Sequence, residues 1–178
     1  CRSQIDGSVQ YYAVRAAGPE AEANPGMIFT LHGASVEASG QADAYANKPW
    51  ATIVAPTNRR PYGFDWEDIG RMDFLEVYSD AMTRFRPDPA RVYLTGHSMG
   101  GHGTWQIGAQ YPAGFAAIAP SAGWISFQSY TGAAAYDSGS PIENILRRAG
   151  SPSDTLALKG NYNGVGVYVL HGDADDNV

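Results

Sequence analysis

The stretch LTGHSMGGHGTW, residues 94–105, decides the fold. It places Gly96, Ser98 and Gly100 in the spacing G-x-S-x-G, directly after the apolar run RVYLT at 91–95. The glycines make room for a chain that leaves a strand and enters a helix within a few residues, with the serine at the turn. The helix N-terminus would then direct N–H groups at developing negative charge. This context predicts a nucleophilic serine; the competing interpretation is a glycine-rich turn that only exposes a serine.

Outward from this turn, short apolar runs alternate with helical stretches, which is typical of a parallel α/β sheet. We expect strands at residues 9–16, 27–31, 51–55, 91–95, 115–119 and 165–170. Near-continuous apolar strands are what a sheet covered on both faces requires. The predicted fold class is therefore α/β, with a mostly parallel sheet and helices on both faces.

Helices are predicted between these strands. The clearest spans about residues 71–85, where Pro87 and Pro89 end it. Its apolar stripe comprises Phe74, Leu75, Tyr78, Ala81, Met82 and Phe85. A second helix runs from Met99 to about Ala109, and a shorter one lies near residues 142–148. Residues 35–47 carry a weak helical pattern.

Composition excludes several classes of protein. With 178 residues the chain suits one domain, and its net charge of −6 with scattered basic residues argues against a nucleic-acid partner. The longest apolar runs are strand-sized, so no membrane span is expected. The one cysteine, Cys1, excludes an internal disulfide and a thiolate cluster, and no H-x-x-x-H pair is present. The sequence thus predicts neither a metal nor a cofactor.

Taken together, these motifs resemble the α/β-hydrolase family, and most closely prolyl-oligopeptidase-type catalytic domains and small secreted esterases. The resembling segments are residues 31–33 (LHG), 66–68 (WED), 88–105, 115–122 (FAAIAPSA) and 171–178 (HGDADDNV). The resemblance spans most of the chain from about Val9 onward. It implies a serine hydrolase with a Ser–acid–His triad in that order, and the secreted relatives favour a secreted or periplasmic protein.

The resemblance also implies the acid of the triad. In the prolyl-oligopeptidase branch this loop reads H-G-x-x-D-x-x-V, and His171, Gly172 and Val178 then assign the acid to Asp175. Composition alone leaves Asp173 and Asp176 as rivals. A solvated acidic loop is the alternative for the cluster as a whole.

The oxyanion hole is expected from two backbone N–H groups. One belongs to Met99, the residue after the nucleophile, and the resemblance places the other at Ala34, just past His32–Gly33. Two loops, residues 58–66 and 124–130, are expected to shape the pocket at the carboxyl ends of the strands. Their aromatic side chains either hold an acyl or aryl group or pack the lid: Tyr62, Trp124 and Phe127. Asp65, Glu67 and Asp68 are expected to fix the following helix and loop.

The four histidines are not expected to supply the base. His32 and His171 lie in H-G turns, where the histidine is structural in the family. We expect the His97 side chain to leave the serine turn (the elbow, residues 96–100) in another direction and His102 to pack beside it. The family places its histidine a few tens of residues after the acid. We therefore expect residues 1–178 to be a single catalytic domain, C-terminally truncated, that lacks the final strand, the base-bearing loop and the closing helix.

The predicted function is hydrolysis of carboxylic esters through an acyl-serine, with a small ester or peptide as substrate. Two alternatives stay open at this point. A prolyl-oligopeptidase-like peptidase is indicated by the HGDADDNV loop, whereas the GHSMGG elbow is common among esterases. A non-catalytic binding domain of the same fold is the other alternative, particularly for residues 1–178 alone, because removal of a triad member severely impairs catalysis.

Overall fold

The computed structural model describes residues 1–18, 23–59, 65–126, 130 and 139–175. Within these residues six strands form one sheet: β1 (Tyr12–Arg15), β2 (Gly26–Leu31), β3 (Ala51–Pro56), β4 (Val92–His97), β5 (Ala117–Ser121) and β6 (Gly166–Val167). Their order across the sheet is β1-β3-β2-β4-β5-β6. β1 is antiparallel to β3, and the other named pairs are parallel. The predicted mostly parallel sheet is confirmed.

The helices of the described residues are α1 (Ala38–Asp43), α2 (Asp68–Phe85), α3 (Met99–Gln110) and α4 (Pro141–Gly150). α2 ends where Arg86 adopts a φ of 47°, and Pro87 prevents its continuation. α1 covers only six residues of the predicted 35–47. Short 3₁₀ turns lie at Pro89–Arg91, Pro112–Gly114, Ser151–Ser153 and Lys159–Gly164. None of the helices in the described residues is long and apolar enough to span a membrane.

The central strands are buried on both faces. All six residues of β2 and of β3 are buried, which accounts for their continuous apolar sequence. Phe29 of β2 packs with Phe74 and Tyr78 of α2, its ring centroid 5.5 Å and 5.0 Å from theirs. On the opposite face, Gln41 of α1 donates to the Thr30 hydroxyl over 2.7 Å. Helices therefore cover both faces, as predicted.

The last predicted strand, residues 165–170, is shorter and less regular than expected. Only Gly166–Val167 form β6, followed by an isolated bridge between Leu170 and Ser121. Backbone hydrogen bonds from Tyr168 to Ile118 (2.9 Å) and from Leu170 to Pro120 (3.1 Å) keep the segment beside β5. In the described residues it is therefore the edge of the sheet, paired with β5 on one side.

Parallel register brings several strand ends to one edge of the sheet. Leu31 of β2 lies opposite Gly96 of β4, and His97 lies opposite Ser121 of β5. Ser121 in turn pairs with Leu170. The loops that follow these strands therefore begin at the same edge, the side on which α/β sheets bind their ligands.

Candidate active site

Ser98 occupies a strained turn between β4 and α3. It follows the last residue of β4, is the N-cap of α3, and has φ 57° and ψ −120°. A non-glycine residue with positive φ is uncommon and costs about 1–3 kcal/mol. Its backbone N–H donates to the Ser121 carbonyl over 2.9 Å, which holds the turn against the end of β5. Ser98 thus sits where the sheet edge and a helix N-terminus meet.

The flanking glycines are required by backbone contacts. A Cβ on Gly96 would overlap the carbonyl oxygen of Gly100, and a Cβ on Gly100 would overlap the carbonyl oxygen of Leu31 in β2. No side chain can move aside to relieve either overlap, since both obstacles are main-chain atoms. The turn can therefore be this tight only with glycine at these two positions.

Of the two predicted oxyanion donors, Met99 follows Ser98 in the chain, and Ala34 belongs to the segment that passes the serine turn. Met99 is the first residue of α3, so its N–H has no acceptor within the helix. A Cβ built on Gly33 would come within 3.5 Å of the Ser98 Cβ, so the segment after β2 passes alongside the serine. Ala34, the next residue, is exposed. The structure therefore brings both predicted segments to the serine turn.

The Asp175 loop starts at the same sheet edge. The Ala122 N–H donates to the Leu170 carbonyl over 2.8 Å, and Ala122 follows β5, the neighbour of β4. One strand thus separates the Ser98 turn from the segment that leads into Asp175. The Asp175 Oδ2 lies 3.4 Å from His171 Nε2. Asp173 is exposed, and Asp176 lies outside the described residues.

Two of the four histidines, His32 and His171, lie directly after strand segments. His32 is completely buried; Nδ1 lies 2.9 Å from the Gly33 carbonyl and Nε2 3.3 Å from the Thr57 carbonyl. Trp66 donates its indole N–H to the His32 carbonyl over 3.1 Å. His171 follows Leu170, and its Nε2 lies near the Asp175 carboxylate. These contacts leave His32 no access to a substrate.

The other two histidines flank Ser98 in sequence. His97 is exposed, with Nδ1 3.4 Å from the Ser121 hydroxyl. His102 is 0% exposed and stacks on Trp124, with ring centroids 5.1 Å apart. Its ring is held at both nitrogens, by the Trp124 carbonyl (3.1 Å) and by a carboxylate oxygen of Glu67 (3.1 Å). It packs beside the elbow, as expected from the sequence.

Of the predicted pocket residues, Trp124 is described and Tyr62 and Phe127 lie outside the described residues. Trp124 is 4% exposed and is stacked between His102 and Tyr130, whose ring centroid lies 4.2 Å away. This burial favours the packing interpretation at Trp124. Tyr130, at the outer end of the stack, is 42% exposed.

Sequence reasoning missed one cluster next to the elbow. Asp65, Glu67 and His102 each offer one nitrogen or oxygen atom, and these three atoms lie within 4.8 Å of one another. Burial is the main reason that the pKa of Asp65 rises to about 6; the nearby Glu67 raises it further, while His102 opposes the shift. His102 lies 35 positions after Glu67, so no local spacing motif could have indicated the cluster.

Comparison with known proteins gives a family match. Residues 59–178 match the prolyl oligopeptidase family. A protein of Arthroderma benhamiae described as an uncharacterized secreted protein is 36% identical over 86 residues. That alignment covers 48% of this chain and 9% of the relative, so the chain spans a small part of that protein's length.

Solved structures of hydrolases have a similar fold. The fluorophosphonate-binding serine hydrolase FphF of Staphylococcus aureus superposes with a TM-score of 0.67 at 18% identity, covering 95% of this chain and 75% of its own. A ferulic acid esterase gives 0.68 at 18% identity, with coverages of 97% and 76%. A prolyl endopeptidase gives 0.65 at 17% identity, covering 99% of this chain but 29% of the endopeptidase. The α/β-hydrolase fold is thereby confirmed.

Proposed function

Because this chain belongs to the prolyl oligopeptidase family, we propose that it is the catalytic domain of a serine hydrolase that cleaves carboxylic esters through an acyl-serine intermediate. The observation that carries the proposal is Ser98 at a positive φ between β4 and the N-terminus of α3. A strained serine at that position of a parallel sheet has its hydroxyl at the ligand-binding edge.

The proposed reaction has two halves. A base removes the Ser98 hydroxyl proton as the oxygen attacks the substrate carbonyl carbon, and the N–H groups of Met99 and Ala34 bind the resulting oxyanion. Collapse of the tetrahedral species breaks the ester C–O bond, and the protonated base donates its proton to the leaving oxygen, so that the neutral alcohol departs. Water then attacks the acyl-serine by the same route and releases the acid. Asp175 orients and stabilises the base in its protonated form.

We further propose that the base is a histidine outside residues 1–178. His32 and His102 are completely buried and held at both ring nitrogens, which supports this assignment. His171 Nε2 lies 3.4 Å from the Asp175 carboxylate. His97 is next to the serine in sequence but reaches Ser121 instead.

A peptidase is the second candidate function. The family match and the H-G-x-x-D arrangement around Asp175 favour it. The solved structures named above include both an esterase and a prolyl endopeptidase, each under 25% identical, so their likeness supports the fold and not the choice. We favour the ester because the GHSMGG elbow is typical of esterases.

The test uses the longest natural form of the protein that contains these residues. A fluorophosphonate probe should label it and should not label Ser98→Ala. Asp175→Asn should lower kcat on p-nitrophenyl acetate by about 10³–10⁴-fold, whereas Asp173→Asn, an exposed carboxylate in the same loop, should act as the wild type.

Each result decides between the candidates. Failure of the wild type to react with the probe would establish the binding-domain alternative and end the hydrolase proposal. Turnover of aminoacyl-proline anilides at a higher kcat/KM than p-nitrophenyl esters would replace the esterase by the peptidase. Equal losses in Asp173→Asn and Asp175→Asn would remove Asp175 from the triad.

A further inference from the structure

The Asp65–Glu67–His102 cluster joins two elements that flank the serine turn. Asp65 and Glu67 precede α2. His102 lies in the first turn of α3, where its backbone N–H donates to the Ser98 carbonyl over 3.1 Å. The His102 side chain is 0% exposed, whereas those of Asp65 and Glu67 are 16% and 12% exposed. Solvent, and therefore an ion, can reach the cluster from the carboxylate side.

The protonation of the imidazole follows from its contacts. Nδ1 lies 3.1 Å from the Trp124 carbonyl oxygen, which only accepts hydrogen bonds, so Nδ1 carries the proton. Nε2 then faces Glu67 Oε1 at 3.1 Å and Asp65 Oδ1 at 3.6 Å. A lone pair and two ionised carboxylate oxygens repel one another, so a proton or a metal ion among them would stabilise the cluster.

The charge balance favours a metal ion over a proton. An imidazolium would carry one positive charge and a single remaining N–H, which points at one oxygen, while the cluster holds two carboxylates. A divalent ion compensates both carboxylates with the imidazole neutral.

The two distances from Nε2 are compatible with a coordination sphere, and the two carboxylate oxygens lie within 4.8 Å of each other. Zinc binds imidazole nitrogen and carboxylate oxygen at about 2.0–2.2 Å, which separates neighbouring ligand atoms by about 3.0–3.5 Å. The separations of 3.1 Å and 3.6 Å from Nε2 are close to this range. A metal-bound histidine also usually donates its other N–H to a carbonyl, as Nδ1 does to Trp124. Glu67 Oε2 accepts from the Ser153 hydroxyl, which orients the carboxylate.

We propose that Asp65, Glu67 and His102 bind one divalent transition-metal ion, with zinc the best match to one imidazole and two carboxylates. The ion ties the segment before α2 to the first turn of α3 and so supports the serine turn without touching the substrate. The proposal is independent of the hydrolase assignment, because ion binding needs neither Ser98 nor Asp175.

The experiment measures zinc binding by the intact, untagged protein after chelator treatment and dialysis. Competition with a chromophoric chelator should give one zinc per chain, and saturating zinc should raise the Tm by about 5 °C or more. Mg²⁺ and Ca²⁺ at the same concentration should not. Asp65→Asn and Glu67→Gln should each weaken zinc binding by more than about tenfold.

Asp68→Asn is the matched control, since Asp68 is an exposed carboxylate next to Glu67 and outside the cluster. It should bind zinc as the wild type does. Circular dichroism identifies the variants that fold. If Glu67→Gln does not fold, Asp65→Asn, whose side chain is partly exposed, tests the proposal by itself. Absence of stoichiometric zinc, equal affinity in Asp65→Asn and Asp68→Asn, or binding of Mg²⁺ or Ca²⁺ in place of zinc would overturn the proposal and leave an imidazolium at the site.

Discussion

At the scale of the single residue, Asp73 on α2 carries a charge that its surroundings compensate incompletely. It is 1% exposed, and neither carboxylate oxygen has a hydrogen-bond partner among the described residues. Burial is the largest cause of the raised pKa of this carboxyl; the nearby backbone N–H groups of Arg59 and Asn58 and the charge of Arg59 oppose the shift, and Glu76 adds to it. Because the folded state binds the proton more tightly than the unfolded chain, Asp73 lowers the stability as pH rises above the usual value of 3.8.

Asp73→Asn should therefore stabilise the protein at pH 7 by about 1 kcal/mol, because it removes a buried charge. The gain should shrink as pH falls through the raised pKa and vanish below about 3.8, where both states of the wild type are protonated. Urea unfolding of both proteins at pH 7 and pH 4 measures this. A gain of the same size at both values would mean that the charge of Asp73 is not its cause. Asp80→Asn, at a carboxyl whose pKa is lowered, should lose stability at pH 7 instead.

At the scale of elements, the contact of α3 with β2 depends on Gly100. A Cβ at this position would overlap the Leu31 carbonyl oxygen in the buried centre of the sheet. Gly100→Ala should destabilise the protein by about 1–3 kcal/mol, the usual cost of overpacking a core.

Gly150 provides the control, because it ends α4 at a φ of −82° and a Cβ there meets nothing within 4 Å. Gly150→Ala should be neutral or stabilise by up to about 1 kcal/mol. Denaturant midpoints of the two variants check the pair. An unchanged midpoint in Gly100→Ala would mean that α3 can move away from β2, and the tight packing of the turn would not be required.

At the scale of the whole molecule, the sheet ends in an apolar edge. Residues 167–170 after the start of β6 are Val, Tyr, Val and Leu, exposed to 42%, 68%, 51% and 59%. Within the described residues this edge pairs only with β5. Exposed apolar edges with free backbone groups pair with other chains. Residues 1–178 alone should therefore self-associate in a concentration-dependent way.

Tyr168→Lys should reduce this association, since a charge on an edge strand opposes pairing. Met72→Lys introduces the same charge at a 39% exposed position on α2 and should not. Static light scattering across a concentration series compares the two with the wild type. A monomer at every concentration, or equal suppression by both variants, would show that the edge is not the contact surface.

The regular elements followed from sequence because they depend on local patterns. β2 and β3 are apolar throughout and buried throughout, and the apolar stripe at 71–85 became α2, extended at its start to Asp68. Where the local pattern was weak, the prediction was too long. Residues 35–47 contain a helix of six residues, and Ser35 before it has a φ of 60°.

By itself, the sequence determined the α/β class, the strand–serine–helix turn at Ser98 and the alternation of helices and strands, because each rests on residues a few positions apart. Only the tertiary structure decided that Trp124 is buried between two rings and that Asp65, Glu67 and His102 lie close together. Such contacts join segments of the chain that follow different strands: β3, β4 and β5. Their approach depends on the order of strands across the sheet, and residue spacing along the chain does not encode that order.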